Sequence, residues 1–506
     1  MMRSSLLDRP TWIDSRPLVH SVLMLYVLVC MAVGVGTMLW GGAVVTASAS
    51  ASQPDENSRP ATESLAVKNY AFLHGQWFDG NGFRQATWYS VQGRLTRTAP
   101  AGAVETVDLA GAFVVPPFGE AHNHNVEGEW NVQAVSDRYL KDGVFYVKNP
   151  NDVRDFATTI RKRVNRPHTI DAVFAHAGMT GTGGHPIALY EDILRVHRYE
   201  PVIGHREVGW FQNRAYVVVN TEQDLDEKWA LITSGNPDFL KAYLVHSEDF
   251  VAHQRDGQLK GRTGLNPALL PRIVAKAHAT GLSVTVHVES ASDFRVAARA
   301  GVDEIAHVPG WLVENELDAQ WARLTEEDAL LAAENGVVVV TTTVAGEAMP
   351  GTASAHPHGH TPDPATQGAT LDSHTSDTDL RALARDVQRA NITLLHRHGV
   401  KLAIGSDHAE TSLAEVMNLR TLLPFDNLTL LKLWCEGTPA AMFPGRKITR
   451  FEEGYEASFL ALAGNPLKDF DQVQAIRLRF KQGVSLPPSG QGEGIPSKET
   501  GPAHAH

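Results

Sequence analysis

The sequence predicts an α/β protein: a (β/α)8 barrel of the TIM type, with a small β-sandwich formed by the segments on either side of it. Three observations lead there. From Phe113 to Asp407, short apolar runs of the buried-strand type alternate with helical stretches, eight times over. β-type segments with tight-turn signals lie before and after that region. Histidines, a lysine and an aspartate recur at or near the ends of the apolar runs, and in a parallel barrel active-site groups sit at the C-terminal ends of the strands.

The elements follow in chain order. Arg3, Arg9 and Arg16 precede an apolar run from Val22 to Val45, and small residues follow in "TASASAS". Basic, apolar and small, in that order, is the layout of an export signal, and the run is also long enough to span a bilayer. Residues 1–51 are therefore expected to be a signal peptide or a membrane anchor. The body would be exported, either periplasmic or anchored outside the inner membrane. Residues 52–66 read as a linker. In 67–112 short apolar runs are cut by turns, and "DGNG" at Asp79–Gly82 is a hairpin signal. The barrel is expected over 113–444, with strands at "AFVVPPF", "GVFYVK", "IDAVFAH", "DFLKAYLV", "LSVTVHV", "DEIAHV", "GVVVVTTT" and "VKLAIGSD". Amphipathic helices such as "PALLPRIVAKAHATG" and "LRALARDVQRANITLLHRHG" lie between them. The stretch 344–376, which carries His356, His358 and His360, is long for a barrel loop and reads as a lid or a surface insertion. Strand-like runs return in 445–482, and the Pro/Gly/Ser-rich 483–506 is expected to be disordered.

Composition narrows the partners. The 506 residues carry a formal charge of −12 and no basic stripe, which argues against nucleic acid. A small-molecule substrate is expected instead. The inner membrane is a further candidate partner through the N-terminal run, and a homo-oligomer is compatible with all of this. The two cysteines are Cys30, inside that run, and Cys435. The body thus lacks both a disulfide pair and a cysteine metal cluster, and any metal must be held by His, carboxylate or a modified Lys.

Candidate ligands follow from placement. His122 and His124, one residue apart at the end of the first strand, present both rings to one side. Lys241 lies within the fourth strand, His287 ends the fifth, His307 ends the sixth and Asp407 ends the eighth. Imidazoles with carboxylate suit divalent transition ions, with zinc as the default. An ammonium cannot bind a cation. A lysine amine that has reacted with carbon dioxide is a carbamate, which can bridge two ions. Two ions roughly 3.5–4 Å apart polarise a carbonyl and acidify water, and a neighbouring aspartate can carry the proton. The reaction class is metal-assisted hydrolysis, most naturally of an amide-like C–N bond. Lys148, which also ends a strand, is the rival to Lys241. His176, ending the third strand, reads as a core or rim residue.

These segments resemble the amidohydrolase superfamily, in its imidazolonepropionase-like and metal-dependent prolidase branch. The likeness covers roughly 67–469. It rests on "VVPPFGEAHNH", on "NRAYVVVNTEQDLDEKWALITSGNPDFLKAYL", on "VHVESASDFRVAARAGVDEIAH", on "AIGSD", and on "GTPAAMFP" and "GNPLKD". The resemblance implies two divalent ions: His122, His124 and Asp407 on the more buried one, His287 and His307 on the other, and carbamylated Lys241 bridging. Asp407 would also shuttle the proton. By the same resemblance His185, in "GTGGHP", is a substrate contact. Tyr243, two residues after Lys241 and on the same side, is another. Together with Arg206 these two are the candidates for gripping a substrate carboxylate. The chain departs from the family pattern at Pro116-Pro117, Glu120 and Ser458, none of them a ligand. The expected activity is hydrolysis of a dipeptide, an N-acyl amino acid or a cyclic amide. The alternatives are a lactonase or phosphotriesterase on the same site, or a non-catalytic exported binding protein.

Overall fold

The computed structural model describes residues 68–255, 262–311, 313, 315–347 and 377–487. The N-terminal apolar run, most of the 344–376 stretch and the last residues lie outside them. Among the described residues, no helix is long and apolar enough to cross a membrane.

The chain enters through β1 (Tyr70–Phe78) and β2 (Phe83–Val91), an antiparallel pair closed at Asp79–Gly82. The Asp79 carboxylate accepts the Asn81 and Gly82 amides at 3.0 and 2.9 Å, which fixes the turn that "DGNG" signals. β3 (Arg94–Thr96), β4 (Glu105–Asp108) and β5 (Phe113–Val115) follow. At Pro116-Pro117 the chain leaves this sheet, because proline cannot donate to a ladder. The segment read as one strand, "AFVVPPF", is therefore two. β5 pairs with β1, and β6 (Phe118–Glu120) begins a parallel sheet.

β7 (Val144–Asn149) and β8 (Asp171–Phe174) complete a three-stranded parallel sheet in the order β6-β7-β8. A seven-stranded parallel sheet is built from β9 (Gly178–Thr180), β10 (Tyr216–Val218), β11 (Phe239–Tyr243), β12 (Ser283–His287), β13 (Glu304–Ala306), β14 (Val338–Val340) and β15 (Lys401–Ala403). Its order is β10-β9-β11-β12-β13-β14-β15. All eight strand segments read from the sequence contain strands, and β9 and β10 are two strands that the sequence reading does not include. Backbone bonds run between the two parallel sheets at both ends. The Ala121 amide donates to Ile404 O at 2.8 Å, the Asp407 amide to His122 O at 2.7 Å, and the Asp238 amide to Phe174 O at 2.9 Å.

Helices cover the parallel strands. The helix Ala291–Ala300, after β12, starts in a Ser290/Asp293 capping box and ends on Gly301 in the left-handed region. It buries Phe294, Ala297 and Ala298. Each apolar side chain of Val, Leu or Phe size so buried contributes about 1.5–3 kcal/mol. The main core joins these helix faces to Phe118, Phe145, Val147, Val286 and Ile305.

β16 (Phe459–Leu462), β17 (Ile476–Lys481) and β18 (Val484–Ser485) return to the first sheet, giving the order β18-β17-β16-β5-β1-β2-β3 with β4 on β1. One sheet thus uses both flanks, around a core of Phe72, Trp77, Trp88, Phe459 and Phe480. Two expected boundaries shift. Phe113–Val115 belongs to the flank sheet. The tail, expected to be disordered from 483, first forms β18. Gln482 and Gly483 both have positive φ (54° and 78°), which makes a tight hairpin, and the Leu486 amide donates to Arg479 O at 2.9 Å.

Candidate active site

The C-terminal ends of the parallel strands bring the candidate residues to one place. Two residues beyond β6, His122 is buried, and His124 follows on the same side. The Nε2 atoms of both face Asp407 Oδ1, at 3.6 and 3.5 Å. These three residues offer donor atoms that all lie within 4.8 Å of one another. The His307 ring, just past β13, is 4.7 Å from those of both His122 and His287. Its Nδ1 is 2.8 Å from Thr342 Oγ1, which leaves Nε2 free of that contact. His287 Nε2 is 3.3 Å from Glu289 Oε1, which leaves its Nδ1. Holding one ring nitrogen of a histidine fixes which nitrogen can ligate.

The backbone is strained here. His307, Thr342 and Asp407 have φ of 76°, 45° and 57°. Such values are uncommon outside glycine and are outliers for a β-branched residue such as Thr342. They persist only where the surroundings over-determine them, which is typical of functional sites.

Two lysines reach this region, and the structure separates them. Lys148 Nζ is 2.8 Å from Glu304 Oε1 and 3.0 Å from Thr285 Oγ1, a buried ion pair. Lys241 Nζ is buried and has no hydrogen-bond partner among the described residues. Burial pulls the Lys241 amine down to about 7; Lys148 adds to the effect, while Glu304 and Asp407 oppose it. A neutral, unpartnered amine is the form that adds to carbon dioxide, whereas Lys148 Nζ is engaged by Glu304 and Thr285.

Burial also holds three of the imidazoles neutral. His122 and His307 are driven well below the ordinary value, mainly by desolvation, and His124 is lowered to about 4 by the same cause. Neutral imidazole is the ligating form. Burial alone would raise Asp407, but the surrounding histidines, His408 first, hold it well below the usual carboxylate range. The donor set therefore fits divalent ions: neutral imidazoles at His122, His124 and His307, an ionised carboxylate, and buried unpartnered atoms at His122 Nδ1 and Lys241 Nζ.

Glu120, a departure from the family pattern, ties β6 to the segment after β15. Its Oε1 accepts the Ser406 amide at 2.8 Å, and its Oε2 lies 2.6 Å from Ser406 Oγ. Burial pushes its carboxyl up to about 8 against these hydrogen bonds, so the acid is protonated at neutral pH. Glu120→Gln keeps the shape and a donor, and should cost less than about 1 kcal/mol, whereas Glu120→Ala strands the Ser406 groups and should cost roughly 1–3 kcal/mol. Chemical denaturation of both variants checks this, and equal losses would contradict it.

Close approach explains Gly405 in "AIGSD". A Cβ there would lie 2.6 Å from Val340 Cγ1, 2.8 Å from His122 Cβ and 2.9 Å from His122 N. Gly405→Ala should push His122 off its place, costing about 1–3 kcal/mol from overpacking. Bound metal should fall with it, measured by elemental analysis; unchanged stability and metal content would refute the close-packing argument.

His185 and Tyr243 come together as well. The His185 ring stacks 4.8 Å from that of His287 and lies 5.2 Å from that of Tyr243. Tyr243 is buried, with its ring against Gly178, where a Cβ would lie 2.5 Å away. Arg206 is not part of this group; it is exposed, and its guanidinium lies 5.5 Å from the Trp210 ring centroid. His176 is a core residue, with Nδ1 3.1 Å from Ser234 O. Four residues at the site were not read from the sequence. These are Glu289, Thr342, Trp311, whose ring is 5.4 Å from that of His307, and His408, whose Nε2 is 3.5 Å from Asp407 Oδ2. Adjacency to His287 and Asp407 was the available signal for Glu289 and His408.

No family model and no curated protein matches the chain. Solved structures do. A crystal structure described as an amidohydrolase is 20% identical with a TM-score of 0.59, covering 83% of this chain and 99% of that one. A prolidase complexed with N-methylphosphonate-L-proline is 17% identical at 0.59, over 83% and 99%. A. niger ochratoxinase is 17% identical at 0.60, over 84% and 98%. The chain has the fold of these solved amidohydrolase and prolidase structures.

Proposed function

We propose that the protein is a metal-dependent amidohydrolase that cleaves an amide-like C–N bond of a small substrate. The observation that carries this is the convergence of His122, His124, His307 and Asp407, just beyond the ends of parallel strands, with His287 at the end of β12 and Lys241 within β11. Lys241 Nζ is left unpartnered within that group. The fold of solved structures described as amidohydrolase, prolidase and Xaa-Pro dipeptidase supports it. In this reading β6, β7, β8 and β11 to β15 form one eight-stranded barrel, joined by the Ala121–Ile404 and Asp238–Phe174 bonds, with β9 and β10 beside it. The flank sheet folds over its aromatic core as a sandwich.

His122, His124 and Asp407 would hold one ion and His287 and His307 the other, with zinc as the default. Lys241, whose neutral amine can add to carbon dioxide with loss of a proton, would as a carbamate be the residue shared by the two ions. Ions held there would supply Lewis acidity, polarising the scissile carbonyl and acidifying water. The chain's own groups do the rest. Asp407, held ionised, accepts a proton and returns it to the leaving nitrogen. Tyr243, kept protonated by burial, donates its hydroxyl to a substrate oxygen. His185, stacked on His287, stands beside it as a second contact. Two contacts of this kind suit a substrate with a carboxylate next to the scissile bond, such as a dipeptide or an N-acyl amino acid. Export through the N-terminal segment, with the body periplasmic or anchored, is part of the same proposal, and self-association remains compatible with it.

The experiment is a hydrolysis screen of dipeptides, N-acyl amino acids, cyclic amides, lactones and phosphotriesters, with chelated and zinc-reloaded protein. Zinc-restored turnover of the first three classes supports the reading. Turnover confined to lactones or phosphotriesters moves the activity class. Binding without turnover of any of them favours a non-catalytic protein.

A further inference from the structure

A second ligand set lies outside the candidate site, between the helix Ile187–Arg195 and β10. His197, Glu200 and His205 each offer one donor atom, and the three lie within 4.8 Å of one another. Glu200 Oε2 faces His197 Nδ1 at 2.5 Å, and its Oε1 faces His205 Nδ1 at 3.7 Å. The two rings are 5.8 Å apart and 29° from parallel, so both imidazoles address one carboxylate. A tight local backbone holds them. His197 sits in the left-handed region at φ 55°, the Glu200 amide donates to His197 O at 3.1 Å, and the Gly204 amide donates to Glu200 O at 2.9 Å. The far nitrogen of His205, Nε2, is 3.4 Å from Glu207 Oε1. A carboxylate on the non-ligating nitrogen is the usual way to orient a metal-bound imidazole.

We infer that His197, Glu200 and His205 bind one divalent transition ion of the zinc class, with Glu207 as the orienting residue behind His205. The donor chemistry selects the class. Two imidazole nitrogens and one carboxylate suit zinc, nickel or copper, whereas calcium needs six to eight oxygens and magnesium an oxygen octahedron. Side chains 58%, 41% and 60% exposed leave the remaining coordination positions to water. The mechanism uses none of these residues.

The position gives the ion a structural task. Arg198, inside the ligand span, pairs with Glu127 at 2.5 Å, and the Tyr199 ring lies 5.8 Å from that of Trp130. Glu127 and Trp130 belong to the segment that follows His124. An ion that fixes 197–205 therefore also fixes the two residues that Arg198 and Tyr199 hold, Glu127 and Trp130.

The test is histidine acylation by diethyl pyrocarbonate on the full chain, read residue by residue by mass spectrometry, with and without added zinc. Zinc should slow modification of both His197 and His205 and leave the exposed His168 unchanged. Glu200→Gln, a change at an exposed residue, should abolish the protection while hydrolytic turnover stays intact. Glu207→Gln should raise the zinc concentration needed for half-protection by about tenfold or more. Equal modification with and without zinc, or protection that survives unchanged in Glu200→Gln, would overturn the inference. Readout by residue keeps the result independent of metal bound at the candidate active site.

Discussion

Replacing Asp407 by Asn is expected to lower kcat by roughly 10²–10⁴-fold, the range that a positioned acid–base group contributes. The expectation rests on geometry and charge together. Asp407 Oδ1 sits 3.6 and 3.5 Å from the two imidazoles beyond β6, and the histidines around it hold the carboxylate ionised despite burial. Asn keeps the size and the left-handed backbone, which Asn tolerates as well as Asp. It removes the negative charge and the proton-accepting oxygen. Turnover is measured at saturating zinc with bound metal quantified beside it, so loss of the ion and loss of the base are told apart. Activity within a few-fold of the parent would remove Asp407 from the chemistry.

The second large effect concerns Lys241 and stability. In metal-free, carbon-dioxide-free protein its amine is pulled down to about 7, against about 10.4 in an unfolded chain. Between those values the unfolded state binds more protons, so stability rises with pH across that window. Below about pH 7 both states are protonated and the burial penalty is fully present, roughly 5 kcal/mol. Lys241→Met places an unbranched apolar side chain there and removes the titration. The variant should therefore be more stable than the parent near pH 6, and the difference should shrink towards pH 10. Urea midpoints at several pH values give the two curves, and parallel curves would falsify the unpartnered-amine account.

The sequence made the strands legible because buried parallel strands are short, apolar and β-branched, as in "SVTVHV" and "GVVVV". Their order sets His122, Lys241, His287, His307 and Asp407 in or near the ends of strands. It did not show that "AFVVPPF" changes sheets, since that depends on which partner strand each half meets. Nor did it show β18, because two residues after a positive-φ turn carry almost no pattern. At the site, ligand-type residues stood out by chemistry and spacing. Thr342 and Glu289 did not, because their value lies in which ring nitrogen they touch, a distance that no spacing encodes. Lys148 differs from Lys241 in its pairing with Glu304, which lies 156 residues away, a contact that no spacing encodes. Arg206 looked like a carboxylate grip by charge alone, and Trp210 takes its guanidinium instead.

The most direct test of the central claim is the metal content of the purified protein beside Lys241→Ala, by elemental analysis after zinc loading. The surface ligands are removed in both by His197→Ala and His205→Ala, so that only the candidate active site is counted. About two ions per chain in this parent, falling to one or fewer without Lys241, is the predicted result. One ion in both would contradict the bridging lysine, and none in either would contradict the metal-dependent hydrolase itself.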